Sequence, residues 1–173
     1  MSRPSEADPV KLTVSLFSDD QQLLADVIKE LAGRFGRPDF VSELLPFDYT
    51  DYYEKEMGPG LVRRIVAFED LIRPESLPDV KIITNGIEGA LLAEGRRRIN
   101  IDPGYINRCH LILATGKPYS HRPYLRDGIY ADVTLVYRDG SYHPLEWTYP
   151  DYAGRAITGL LNRLREKYLL QLK

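Results

Sequence analysis

Between Arg96 and Tyr152 the chain concentrates the side chains that could do chemistry. In order it offers Arg96-Arg97-Arg98, Asn100, Asp102, Thr115-Gly116-Lys117, His121-Arg122, Tyr124, Arg126, Asp132 and Glu146, then Trp147-Thr148-Tyr149-Pro150-Asp151-Tyr152. Lys117 and Arg122 could clamp a phosphate or carboxylate, one as a mobile point charge and the other as a planar fork. Histidine is the side chain suited to giving or taking a proton at physiological pH, which makes His121 an acid–base candidate, with Glu146 as the second. Arg98, Asn100, Asp102, Tyr124 and Asp132 complete the candidate ligand contacts. Among these, Asp102 and Asp132, with Glu146, suit a hydroxyl or magnesium.

Each group also has a purely structural role to weigh against the chemical one. Asp102-Pro103-Gly104 is good turn chemistry, with Asp accepting backbone amides and Gly taking positive φ. Tyr130, Asp132, Thr134, Tyr142, Glu146 and Thr148 fall on one face of a hairpin, which either lines a pocket or is simply wet. The segment around Lys117, His121 and Arg122 is either a site or a solvated loop packed through its tyrosines. Arg96–Arg98 follow a helix end and complement its dipole. Lys81 reads as a solvated helix residue, and Arg63 as the partner of Glu69. His110, His121 and His143 lack metal-binding spacing, and the acidic turn from Tyr49 to Glu56 lacks the pattern of a calcium loop. No metal site is assigned, and no cofactor can be named. Cys109, the only cysteine, excludes an intramolecular disulfide and reads as core.

The elements that must position these groups follow from periodicity. Lys11–Phe17 alternates as a strand; Asp19 or Asp20 caps a helix carrying Leu23, Leu24, Val27, Ile28 and Leu31, stopped by Gly33 and Gly36. Val41–Tyr49 and Val62–Ile72 read as strands, and the spacing of Leu77, Val80, Ile83, Ile87 and Leu91 predicts a helix. Short strands are expected over Arg98–Ile101 and Cys109–Ala114. Ile129–Tyr137 and Ser141–Thr148 form a hairpin about Asp139-Gly140. Asp151 would cap a last helix bearing Ile157, Leu160, Leu161, Leu164 and Tyr168. The expectation is an α+β fold: a ferredoxin-like β-α-β-β-α-β order, extended by further antiparallel strands and a C-terminal helix. Residues 1–10 read as a disordered tail and 11–173 as one domain, long enough to bury about 70% of its unfolded surface.

Net charge is -2, which argues against a general polyanion binder. No apolar run approaches the ~20 residues of a membrane span. The polar start lacks the apolar core of a signal peptide, so a cytoplasmic protein is expected. Arginine is favoured over lysine, 16 to 7, which fits either an anionic ligand or fixed ion pairs.

The runs Tyr52-Tyr53-Glu54-Lys55-Glu56-Met57-Gly58, Asn100-Ile101-Asp102-Pro103-Gly104-Tyr105 and Trp147-Thr148-Tyr149-Pro150-Asp151-Tyr152 resemble those of DUF4416, a bacterial family of unknown function. Phe68-Glu69-Asp70-Leu71-Ile72, Lys81-Ile82-Ile83-Thr84-Asn85 and His121-Arg122 agree, so the resemblance runs from about Lys11 to Tyr168. It implies a stand-alone bacterial cytoplasmic protein and supplies no reaction. Some members carry a loose GTP-binding label, which the residues here do not support. Gly116-Lys117 has Leu111 where a P-loop needs its first glycine and Pro118 where it needs Ser or Thr, and no Asn-Lys-x-Asp is present. Three functions stay open. The first is a site for an anionic, phosphorylated or nucleotide-like small molecule, with hydrolysis or group transfer as the reaction class if the protein is an enzyme, which the sequence leaves open. The second is a non-catalytic protein-interaction module; RNA binding ranks third, since the chain lacks an aromatic RNP-type strand.

Overall fold

The computed structural model describes residues 1–48 and 53–173, with the backbone alone at 54 and 55. The chain runs β1 (Val10–Ser18), α1 (Gln21–Phe35), β2 (Pro38–Val41), β3 (Leu45–Pro46), α2 (Glu54–Met57), β4 (Val62–Ile72) and α3 (Leu77–Ala90). It continues with β5 (Asn100–Ile106), β6 (His110–Thr115), β7 (Tyr124–Arg126), β8 (Ile129–Arg138), β9 (Ser141–Pro144), α4 (Pro150–Ala153) and α5 (Arg155–Gln171). Among the described residues these strands make one sheet in the order β2-β4-β1-β5-β6-β8-β7, with β3 beside β4 and β9 beside β8. Every pairing is antiparallel. The protein is thus α+β, with a large antiparallel sheet and a C-terminal helix.

β1 alternates as its sequence dictates, yet both of its faces are buried. Leu12, Val14 and Leu16 meet Leu24, Val27 and Leu31 of α1 and Val80 and Ile87 of α3. On the opposite face α5 supplies Ile157, Leu160, Leu161, Leu164 and Tyr168 against Ile65, Ala67, Ile106, Leu111 and Leu135. At roughly 1.5–3 kcal/mol per large apolar side chain, this layer is a main reason the sheet needs its last helix. Lys11, on that face, is fully buried: Nζ lies 2.8 Å from Asp39 Oδ2, Phe68 O and Gln171 Oε1.

Several local expectations change. Asp20 caps α1 by accepting from Leu23 N at 3.0 Å, and Gly36 ends it at φ 89°, while Gly33 lies inside the helix. The strand expected over 41–49 is two short pieces, β2 and β3; Tyr49 falls outside the described residues. β5 runs straight through Asp102-Pro103-Gly104 with no turn. Gly104 is there for space, because a Cβ would strike Ile112 O and come within 2.6 Å of Leu113 Cδ2 on β6. A register shift on β8 between the partners of Leu111 and Ile112 puts Leu135 on the same side as Asp132. β9 ends at Pro144, so Glu146, Trp147 and Thr148 lie beyond the strand. Cys109 is exposed rather than core, and Asp151 is buried in an ion pair rather than capping a helix. The edge strand β7 went unforeseen.

Candidate functional site

The end of β1 and β6 and the start of β4, β5 and β8 share one end of the sheet. There β5 and β6 part company: their ladder begins at Gly104–Leu113, so Asn100–Asp102 is paired with β1 alone. Pro103, which has no amide hydrogen, is the residue at which the two strands separate. The freed Ile101 amide donates to Glu88 Oε1, and its carbonyl accepts from Lys81 Nζ at 2.8 Å. Lys81 is therefore buried against the sheet edge instead of solvated, and it reaches Asp102 Oδ1 at 3.4 Å. Asn100 Nδ2 donates to Asp102 Oδ2 at 2.6 Å, and Asn100 Oδ1 accepts from Arg97 Nη1 at 3.0 Å. Burial pushes the Glu88 carboxyl above the ordinary carboxylate range, with Lys81 pulling the other way.

The loop between β6 and β7 builds a second cluster. Arg122, almost fully buried, donates from Nε to Asp132 Oδ2 at 2.7 Å and from Nη1 to Lys117 O at 3.1 Å, with its guanidinium over the Tyr119 ring at 4.5 Å. Thr134 Oγ1 lies 3.3 Å from Asp132 Oδ1. The His121 imidazole is stacked on Trp147 at 4.8 Å and parallel to Tyr119 at 6.0 Å. Its Nε2 is buried without a hydrogen bond, 3.7 Å from Asp132 Oδ2. Trp147 is itself fixed, donating from Nε1 to Val133 O at 2.9 Å, while Thr148 Oγ1 donates to Thr134 O at 2.6 Å. These two side chains cover the length of β8 edge left open between β7 and β9.

A third place is an open cleft of about 300 Å³ lined by Asp19, Asp20, Glu56, Glu94 and Arg96–Arg98. Arg98 pairs across it with Asp20 at 2.9 Å. Arg97 grips Glu56 bidentately, Nε to Oε1 at 2.9 Å and Nη2 to Oε2 at 2.5 Å. The guanidinium holds the Glu56 carboxyl below its usual range, helped by the Arg97 amide and the charge of Lys117.

The structure therefore groups His121, Arg122 and Asp132 with the Lys117 backbone, groups Asn100 with Asp102, and sets Arg98 apart. Two strand spacings and two residues separate Asp102 from Asp132, roughly 12 Å. Glu146 is exposed in the turn after β9 and joins neither cluster. Tyr124 lies on the exposed edge strand, edge-on to Tyr130 at 5.2 Å. Sequence reasoning missed Lys81, Glu88 and the Glu56–Arg97 grip. The available signal was only that Lys81 and Glu88 lie seven residues apart on one helix stripe. Arg63 was assigned to Glu69; it is buried and paired with Asp151 at 2.5 Å, facing the Phe47 ring at 4.5 Å. Among the described residues no three His, Cys, Asp or Glu side chains are grouped to hold a metal ion, and no helix is long and apolar enough to cross a membrane.

Comparison with known families agrees with the resemblance read from the motifs: residues 8–168 match the model of DUF4416, a domain of unknown function, and the chain belongs to that family. No curated protein and no solved structure matches it.

Proposed function

We propose that this DUF4416 protein binds a small anionic molecule, phosphorylated or nucleotide-like, beside the loop of residues 116–122, in a cytoplasmic setting. His121 is the acid–base group there, and hydrolysis or group transfer is the reaction class it suits. The observation that carries the reading is the imidazole itself. It is held flat by Trp147, its Nε2 is turned toward a buried carboxylate, and about a fifth of its side chain (19%) is left open to a ligand. The scaffold proposed is a ferredoxin-like one extended by β6–β9, and what supports it is the strand order β2-β4-β1-β5 with α1 and α3 in the connections.

A panel of nucleotides, sugar phosphates and polyphosphates, with and without magnesium, tests this by thermal shift. A ligand at one hundred times its dissociation constant adds about 2.7 kcal/mol, a rise of roughly 5–10 °C for a chain of this size. His121→Gln and Lys117→Ala should each weaken the response, and both leave the two side chains of the buried Arg122–Asp132 pair in place. A flat response across the panel refutes the ligand reading. The second reading, a protein-interaction surface, is supported by Tyr119, Tyr124, Leu125, Trp147 and Tyr149, all exposed in two neighbouring segments. A stable complex in pull-down with no ligand response would select it.

A further inference from the structure

We propose that the Arg97 fork is the anion subsite of this protein and that Glu56 occupies it in the resting state as a built-in stand-in for a ligand's phosphate or carboxylate. The inference deepens the ligand reading above, and rests on it for the kind of molecule bound.

Two cationic side chains and one neutral backbone amide act on the Glu56 carboxylate. The guanidinium offers Nε and Nη2 as a parallel pair, the Arg97 amide approaches Oε1 at 3.4 Å, and Lys117 adds its charge from the facing loop. This is the donor set by which proteins take a carboxylate or two phosphate oxygens. The fork does not depend on Glu56 for its orientation. Nη1 is tied to Asn100 Oδ1 at 3.0 Å, Asn100 is in turn bonded to Asp102, and the guanidinium packs over Tyr53 at 5.6 Å. Glu56, by contrast, rides on α2, a single helical turn. Both partners are about a third exposed, 28% and 35%, so an incoming anion can reach the pair from solvent. The cleft of about 300 Å³ borders both residues and has room for the rest of a small molecule. Lys117 joins the two halves of the picture, because its own loop also carries His121.

The test uses the full chain and two probes, inorganic phosphate and acetate, titrated by calorimetry and thermal shift. Glu56→Ala should bind at least one of them about tenfold or more tightly than the wild type, the scale of one charge-assisted hydrogen bond no longer contested. Arg97→Ala in the same background should abolish that gain. Equal affinity in wild type and Glu56→Ala, or binding that survives the loss of Arg97, overturns the proposal. Should Glu56→Ala fold poorly, Glu56→Gln removes the charge while keeping a hydrogen-bonding group, and the same comparison holds. The two readings fail separately. If the ligand panel shifts the wild type through His121 and Glu56→Ala changes nothing, the subsite is wrong and the function stands. If the panel is silent while Glu56→Ala binds phosphate through Arg97, the subsite stands and the function is wrong.

Discussion

Arg122→Ala is the substitution an anion-clamp hypothesis would try first, and the structure says it will report stability instead. Arg122 and Asp132 have side chains 4% and 9% exposed and are joined at 2.7 Å. Removing the guanidinium strands a buried carboxylate, which costs about 3–5 kcal/mol in comparable pairs. Thr134 Oγ1 still lies near Asp132 Oδ1 and His121 Nε2 is 3.7 Å from Oδ2, so the lower end, about 3 kcal/mol, is expected. For a chain of this length that is a fall of roughly 6–12 °C in Tm. With a total stability of about 5–15 kcal/mol the variant stays folded. Urea denaturation measures it as a lower midpoint at unchanged slope. The control is Arg122→Met with Asp132→Leu, which leaves no charge stranded and should recover most of the loss. A cost below about 1 kcal/mol for Arg122→Ala, or a double variant as unstable as the single one, would refute the argument.

Gly104→Ala should cost about 2–3 kcal/mol, because the new methyl meets β6 backbone that cannot step aside. Gly33→Ala, inside α1 with open space around it, should instead stabilise by about 0.5–1 kcal/mol. Matched urea curves check both, and equal effects would show that close packing is not what Gly104 serves. Burial raises the folded-state pKa of Glu88 above the ordinary glutamate value of 4.5, so its contribution is fully present below that value and is lost as pH rises through the raised one. Glu88→Gln should therefore be relatively more stable at pH 7 than at pH 4.5 when compared with wild type, and an unchanged difference across that range rejects the assignment. Trp147→Phe should keep the stack on His121 but lose the bond to Val133 O, for about 0.5–1.5 kcal/mol. No measurable loss would mean that water replaces the indole on the open β8 edge.

What the sequence made legible is local. Asp139-Gly140 required a tight hairpin, and the turn forms with φ 49° and 84°. The Val62–Ile72 strand and the stripes of α1, α3 and α5 followed from periodicity because their apolar faces bury in the expected way. Pro103-Gly104 misled because the same dipeptide serves two purposes. It can turn a chain, or it can end one ladder and let a neighbouring backbone approach, and which applies depends on β6, which comes later in the chain. Lys81 looked solvated because a polar residue on a helix stripe reads that way unless it faces a sheet edge with unpaired carbonyls. The partners of Arg63 and Arg97 lie 88 and 41 residues away in sequence, at Asp151 and Glu56, so no spacing rule could find them.

Those distant partners also decide between the two meanings of an arginine-rich composition. Arg63, Arg97, Arg98 and Arg122 each meet a carboxylate, so the bias is explained first by ion pairs. The pairs are not equivalent, however. Arg63–Asp151 and Arg122–Asp132 have every side chain below a tenth exposed, and a ligand that opened either one would have to offset several kcal/mol of desolvated charge. Arg97–Glu56 and Arg98–Asp20 are between about a quarter and a half exposed, so exchanging the carboxylate for another anion trades one screened pair for another. Of these two, only Arg97 has its free nitrogen anchored independently, through Asn100, and only its partner sits on a one-turn helix. Asp20 is committed as the cap of α1 and would leave Leu23 N unsatisfied if it moved. The anion subsite proposed above is therefore placed where a fixed cation meets a carboxylate able to leave. That condition singles out Arg97 over the buried Arg122.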